Sequence, residues 1–315
     1  MTGKPDINAF PDPYRVLLPS FAYLRSIRDQ TLPARATALE DAISHFTDAE
    51  DRDDADYRDL ALLGLIGEAL QILEDLAAIA TEPPKGFPAP NYVAATMYSP
   101  SKTTSFYQGL KKRSDDRILA LVGLRVPTDS GYISLHELFQ IALAEDTIEA
   151  LREAEHATAT LLRQHLFALA SIWDDFGGYF NAFKHGGLSL NRDDYFVADD
   201  KGAELDISPS LTVWARRKDQ GMVLGGMNLS PRDVADHVTK HAWIARALIE
   251  YIVTTRLFTE GLFEFDDAGT VTSIKSQHHI PWVFWLKRAD VSPAAIERLE
   301  AIGIVFPDGA PDGSL

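Results

Sequence analysis

The sequence predicts a mainly α fold, a helical bundle with small antiparallel β-hairpins inserted between and after its last long helices. Three observations lead there. Apolar residues recur at three- and four-residue spacing over long stretches, as in Leu151, Ala154, Thr158, Leu161, Leu162, Leu169, Trp173, Phe176, Phe180 and Phe183. That spacing gathers them on one face of a helix. β-rich runs are short and flank polar tetrapeptides that end in glycine: Asp199-Asp200-Lys201-Gly202, Lys218-Asp219-Gln220-Gly221 and Asp266-Asp267-Ala268-Gly269. Such turns place glycine where positive φ is needed. Finally, 46% hydrophobic and 24% charged residues is the composition of a packed chain, far from that of a disordered one.

Taken in order, residues 1–15 hold Pro5, Pro11 and Pro13 and read as a flexible arm. The rest, 16–306, reads as one helical domain. From Pro33 a helix is expected, with Ala36, Leu39, Ile43 and Phe46 on one side, ending in the acidic stretch 48–59. A second is expected over 55–80, with Leu60, Leu63, Leu70, Leu73, Leu76 and Ala77 inward and Gly64, Glu68, Gln71 and Asp75 outward. Pro83, Pro84, Gly86, Pro88 and Pro90 close it as a loop, because proline cannot continue a helix. Shorter helices follow over 101–112 and 115–124.

Ser134 with Glu137 three residues on forms a capping-box candidate for a helix reaching Ala144. The longest helix is expected over 147–185, stopped by Gly186 and Gly187, since glycine accepts the left-handed conformation that closes a helix. A hairpin insert at about 194–227 reads as one small sheet. Ser230-Pro231-Arg232-Asp233 then supplies an N-cap, a first-turn proline and a first-turn acid for a helix to about residue 259. A hairpin at about 262–275, a short helix after Ser292-Pro293 and a loose tail at 307–315 complete the chain.

Formal charge is −16, from 46 acidic and 30 basic residues, so the summed field repels polyanions and disfavours nucleic acid as a general partner. Only the local runs Lys111-Lys112-Arg113 and Arg216-Arg217-Lys218 run against it, and acids follow both. Cysteine is absent, which excludes disulfides, thiolate metal sites and a cysteine nucleophile. No apolar run reaches the roughly 18 residues a spanning helix requires, and the opening residues lack a signal-like apolar core. No membrane association and a cytoplasmic location are therefore expected.

Phosphate loops, dinucleotide fingerprints, nucleophile elbows and EF-hand loops do not occur. In His136-Glu137-Leu138-Phe139-Gln140 a glutamine stands where a zincin has its second histidine. Glu153-x-x-His156 occurs once, whereas di-iron bundles need two copies and further glutamates. Two constellations remain. Asp174, Gly178, Asn181 and His185 follow one another at four, three and four residues, which puts an acid, an amide and a histidine on one helix face. These types can orient a proton donor and acceptor near neutral pH, so Asp174, Asn181 and His185 are candidate catalytic residues. His237 and His241, one turn apart, can present two imidazoles to one metal. His278 and His279 with Trp282 and Trp285 form a third group, able to line a pocket or to anchor an aromatic segment on the core.

A late helix carrying a polar residue four positions before a histidine, within a helical bundle, resembles the HEPN class of prokaryotic helical proteins. Asn181 and His185 match the polar and histidine positions of that motif, and Phe180 stands where it has arginine. The likeness covers about residues 33–187. It implies an RNase with His185 as catalytic group and Asn181 in support, or an inactive relative. The residues themselves favour a non-catalytic interaction or scaffold protein with a protein partner or self-association, and leave a metal-dependent hydrolase using His237 and His241 as a further reading.

Overall fold

A computed structural model of the chain describes residues 18–52, 54–80, 85, 100–139, 141–184, 188–191, 195–198, 204–207, 210–217, 221–227, 230–267, 271–274, 283–304 and 306. The expected arm, the proline-rich loop apart from Lys85, and the tail lie outside these residues. The mainly α class with small antiparallel hairpins is what the chain adopts.

Helix α1, Leu18–Ser26, passes through a π turn, Ile27–Thr31, directly into α2, Leu32–Glu50. Helix was expected only from Pro33, and the run begins fifteen residues earlier. Proline has no N–H to donate and its ring crowds the carbonyl four residues back. The π turn absorbs that conflict: the Leu32 N–H bonds to the Ile27 carbonyl, five residues back.

Helix α3, Ala55–Ile79, buries Leu63, Leu70, Leu73, Leu76 and Ala77 as expected, but Leu60 is 67% exposed. The periodicity explains the difference, because Leu60 stands one turn before Gly64 and so continues the outer row of Gly64 and Glu68. Helices α4, Pro100–Leu110, and α5, Asp115–Leu121, follow, the latter capped by Ser114. Strands β1, Arg125–Pro127, and β2, Tyr132–Ser134, pair antiparallel and lead straight into α6, Leu135–Leu138.

The Ser134–Glu137 capping box forms in both directions, yet the helix it starts is one turn long and does not reach Ala144. Its end is marked by the Ile141 N–H, which bonds five residues back to the His136 carbonyl at 2.8 Å, the closure of a Schellman-type stop. Helix α7, Glu145–Lys184, is the longest element. The expected stripe from Leu151 through Phe176 is buried at every position.

Five strands follow: β3, Leu188–Asn191; β4, Tyr195–Ala198; β5, Glu204–Ile207; β6, Ser210–Arg217; β7, Gly221–Met227. The single sheet expected for the two hairpins does not form. Among the described residues β4 pairs only with β5, while β6 lies between β3 and β7 in a three-stranded sheet. A strand has two hydrogen-bonding edges, and β3 takes the one that the β4–β5 ribbon would need. Helix α8, Pro231–Glu260, buries Val234, Val238, Ala242, Ala245, Leu248 and Ile249. Its Ser230 cap accepts the Asp233 N–H at 3.1 Å. The hairpin of β8, Phe263–Phe265, and β9, Val271–Ile274, precedes a 3-10 turn, Arg288–Asp290, and helix α9, Pro293–Ala301.

The chain divides into two compact units. One comprises residues 1–34, 74–170 and 244–315. Its core includes Phe21, Leu76, Tyr107, Val126, Leu162, Ile252 and Phe263, with the Phe139 and Phe21 rings 5.9 and 6.4 Å from Phe263. The other, 35–73 and 171–243, buries Leu39, Phe46, Leu65, Leu70, Trp173, Phe176 and Val238. Among the described residues no helix is long and apolar enough to cross a membrane.

Candidate functional site

The row on α7 rests on an unbroken helix, and the helix runs without interruption to Lys184. Asp174, Gly178 and Asn181 therefore lie along one face. The Asp174 side chain is exposed. The side chain of Asn181, and the whole of His185, lie outside the described residues. The glycine whose missing side chain has a visible use is Gly177: a Cβ there would sit 2.9 Å from the buried Trp173 indole one turn earlier. This glycine lets a large aromatic ring lie flat along its own helix.

On α8 the two imidazoles approach to 4.6 Å between ring centres. His237 is exposed and His241 is buried beside the apolar stripe. The Nδ1–H of His241 donates to the His237 carbonyl at 2.7 Å, an assignment that follows from the carbonyl being an acceptor only. Burial lowers the His241 pKa, and the adjacent His237 and Lys240 charges act the same way. Nε2 is left for a ligand, but among the described residues no group of three histidines or carboxylates is placed to hold a metal ion. His278 and His279 lie outside those residues.

The near-miss motifs are put to structural use. Glu153 accepts the Ser292 N–H and hydroxyl, at 2.5 and 2.9 Å, and so fixes the N-cap of α9 onto α7. His156 lies 3.6 Å from Asp115, which also pairs with Arg163. His136 Nδ1 is 2.7 Å from the Ser134 hydroxyl that caps α6. In the basic run, Lys111 and Lys112 are exposed, while the Arg113 guanidinium covers the Phe106 ring at 5.0 Å. Trp282 lies outside the described residues; Trp285 is buried with its ring 5.1 Å from Tyr251, whose hydroxyl donates to the Val283 carbonyl at 2.7 Å.

One face of α7 remains open. Glu153, His156, Thr160 and Gln164, with Ala157 and Leu161 as floor, line a cleft of about 420 Å³ faced by Lys287 and Asp290. Six of these eight residues are polar, whereas pockets that engulf small molecules are lined mainly by apolar and aromatic groups. The sequence signal for this face is the helical spacing of 153, 156, 157, 160, 161 and 164, masked by the more regular apolar stripe beside it.

Two cations, one buried and one half-buried, had no signal at all. Arg256 on α8 is fully buried. It donates from Nη1 to the Ile79 carbonyl and from Nη2 to the Leu121 carbonyl, both at 2.8 Å, and burial lowers its pKa to about 9. Arg125 makes a two-pronged ion pair with buried Glu155. No protein-family model, curated protein or solved structure matches the chain.

Proposed function

We propose that the chain is a non-catalytic, cytosolic helical interaction protein that docks a protein partner, or a second copy of itself, on the outward face of α7. The observation that carries this reading is the open cleft along Glu153, His156, Thr160 and Gln164, of mixed polar and apolar surface. A helix face of polar side chains beside Ala157 and Leu161 matches the mixed polar and apolar character of non-obligate protein interfaces. The use of His136 and Arg256 in holding helix ends supports it from the other side, since those groups serve the architecture.

Capture of partners by the untagged chain from its own host, with identification by mass spectrometry, tests the reading against a Thr160→Arg/Gln164→Arg variant. Both positions are exposed, so the variant should fold normally. The reading requires at least one partner, or self-association, that the native chain has and the variant loses. Equal recovery by both chains, or none by either, contradicts it.

A second reading, an RNase of the HEPN type or its inactive relative, is favoured by the continuity of α7 through Asn181. His185 is then the catalytic group. Cleavage of RNA by the native chain but not by His185→Ala supports it, and identical background with both removes it.

A further inference from the structure

Two imidazoles meet on α8, one helical turn apart. His237 is exposed and His241 is 9% exposed, and their ring centres stand 4.6 Å apart with the planes tilted by 58°. The tautomer of His241 is fixed from within the helix: Nδ1–H donates to the His237 carbonyl at 2.7 Å, so the lone pair lies on Nε2. Nε2 has no partner among the described residues and is not shut away from solvent. A ring oriented by a bond at one nitrogen, with the other left to a ligand, is the arrangement that metal-binding histidines use. Burial lowers the His241 pKa, the bond to the His237 carbonyl opposing and the His237 and Lys240 charges reinforcing the fall. The ring is therefore neutral at neutral pH, the form that binds a metal. Asp233 and Asp236 lie on the same stretch, but Asp233 accepts from the Ser230 hydroxyl and Asp236 from Arg232. They add negative field, not ligands.

We propose that His237 and His241 form a two-imidazole chelate for a divalent transition metal of the copper(II) or nickel(II) class. The spacing of the rings selects that class. With metal–nitrogen bonds of about 2.0–2.1 Å, each ring centre stands about 3.2 Å from the metal, so a right angle at the metal separates the two centres by about 4.5 Å and a tetrahedral angle by about 5.2 Å. The observed 4.6 Å fits neighbouring corners of a square. That is the geometry copper(II) and nickel(II) take with nitrogen donors, whereas zinc takes a tetrahedron. No third histidine or carboxylate joins the pair among the described residues, so water fills the remaining corners and the ion exchanges with solvent.

Titration of the untagged full chain with copper(II) chloride in a non-coordinating buffer, at about pH 7, tests this. Calorimetry gives the affinity and electron paramagnetic resonance the donor set, for the native chain, His237→Ala and His241→Gln. The chain has nine histidines, so the difference between native and variant chains is the readout. The tightest copper equivalent should weaken at least about tenfold in each variant, since losing a ligand costs no less than losing an outer-shell partner. The native spectrum should show two nitrogen donors, and the variants should lose it. Nickel(II) should follow the same pattern. His237 is exposed, so the alanine chain folds as the native one does and carries the test if His241→Gln does not fold. Equal copper affinity and equal spectra in the native and alanine chains overturn the proposal, as does a native spectrum without two nitrogen donors.

Discussion

Arg256 reaches the carbonyl oxygen of Ile79 at the last residue of α3, 177 positions away in sequence, at 2.8 Å, and its second amino group holds the end of α5 in the same way. The last carbonyls of a helix have no partner within it and carry the negative end of its dipole. One guanidinium, with donors in a rigid fork, answers two such ends at once.

Arg256→Met should therefore lower stability by about 3 kcal/mol, because two buried carbonyls lose their donors while most of the volume is kept. Arg256→Lys should recover only part of this, since a point charge on a flexible stem does not span both carbonyls. Denaturant melts of the three chains measure it. A lysine chain as stable as the native one would show that charge alone suffices.

Two glycines should respond in opposite senses. Gly123 has φ of 81°, and a Cβ there would lie 3.2 Å from Arg256 Cγ. Gly123→Ala should cost at least about 1 kcal/mol from the left-handed backbone alone. Gly64 lies within α3 with open space around its Cβ position, so Gly64→Ala should stabilise by about 0.5–1 kcal/mol. Thermal melts that moved the same way would contradict this.

Two buried titrating groups give stability slopes of opposite sign. Glu155 is raised from 4.5 to about 7, so the folded chain holds the proton more tightly than the unfolded one. Its contribution is full below 4.5 and is lost as pH rises through 7, an effect of at most about 3 kcal/mol. His241 is lowered from 6.5, so its contribution is present above 6.5 and is lost as pH falls through its folded value. Glu155→Gln should flatten the neutral side of a stability-against-pH profile, and His241→Gln the acid side. An unchanged profile in either chain would refute that assignment.

Ser292→Ala should lower stability by about 1 kcal/mol, as loss of an N-cap does. Here the serine both caps α9 and bonds Glu153. Glu153→Gln should cost less than the serine change, because an amide oxygen still accepts the Ser292 N–H. Equal losses would place the weight on the carboxylate charge.

Local signals were legible in the sequence and distant ones were not. The stripe of α7, the caps at Ser134, Ser230 and Ser292 and the three hairpins each depend on residues a few positions apart. The failures share the opposite property. Pro33 stays helical because a π turn five residues long shifts the register before it. β3 was missed because its four residues are defined by a partner strand some twenty positions on. Arg256 looks like a surface residue of an amphipathic helix, and only the ends of α3 and α5 make its burial tolerable. At the candidate site, the continuity of α7 through Asn181 follows from periodicity. The open face at Thr160 and Gln164 does not, since it depends on where Lys287 and Asp290 lie.

The docking role of α7 is tested most directly by a photo-crosslinking residue at Gln164, on the cleft, and in a parallel chain at exposed Asp41 on α2. Irradiated in its own host, the Gln164 chain should give a discrete protein adduct, to a second copy or to another protein, that the Asp41 chain does not give. Adducts no different between the two positions would contradict a partner on this face.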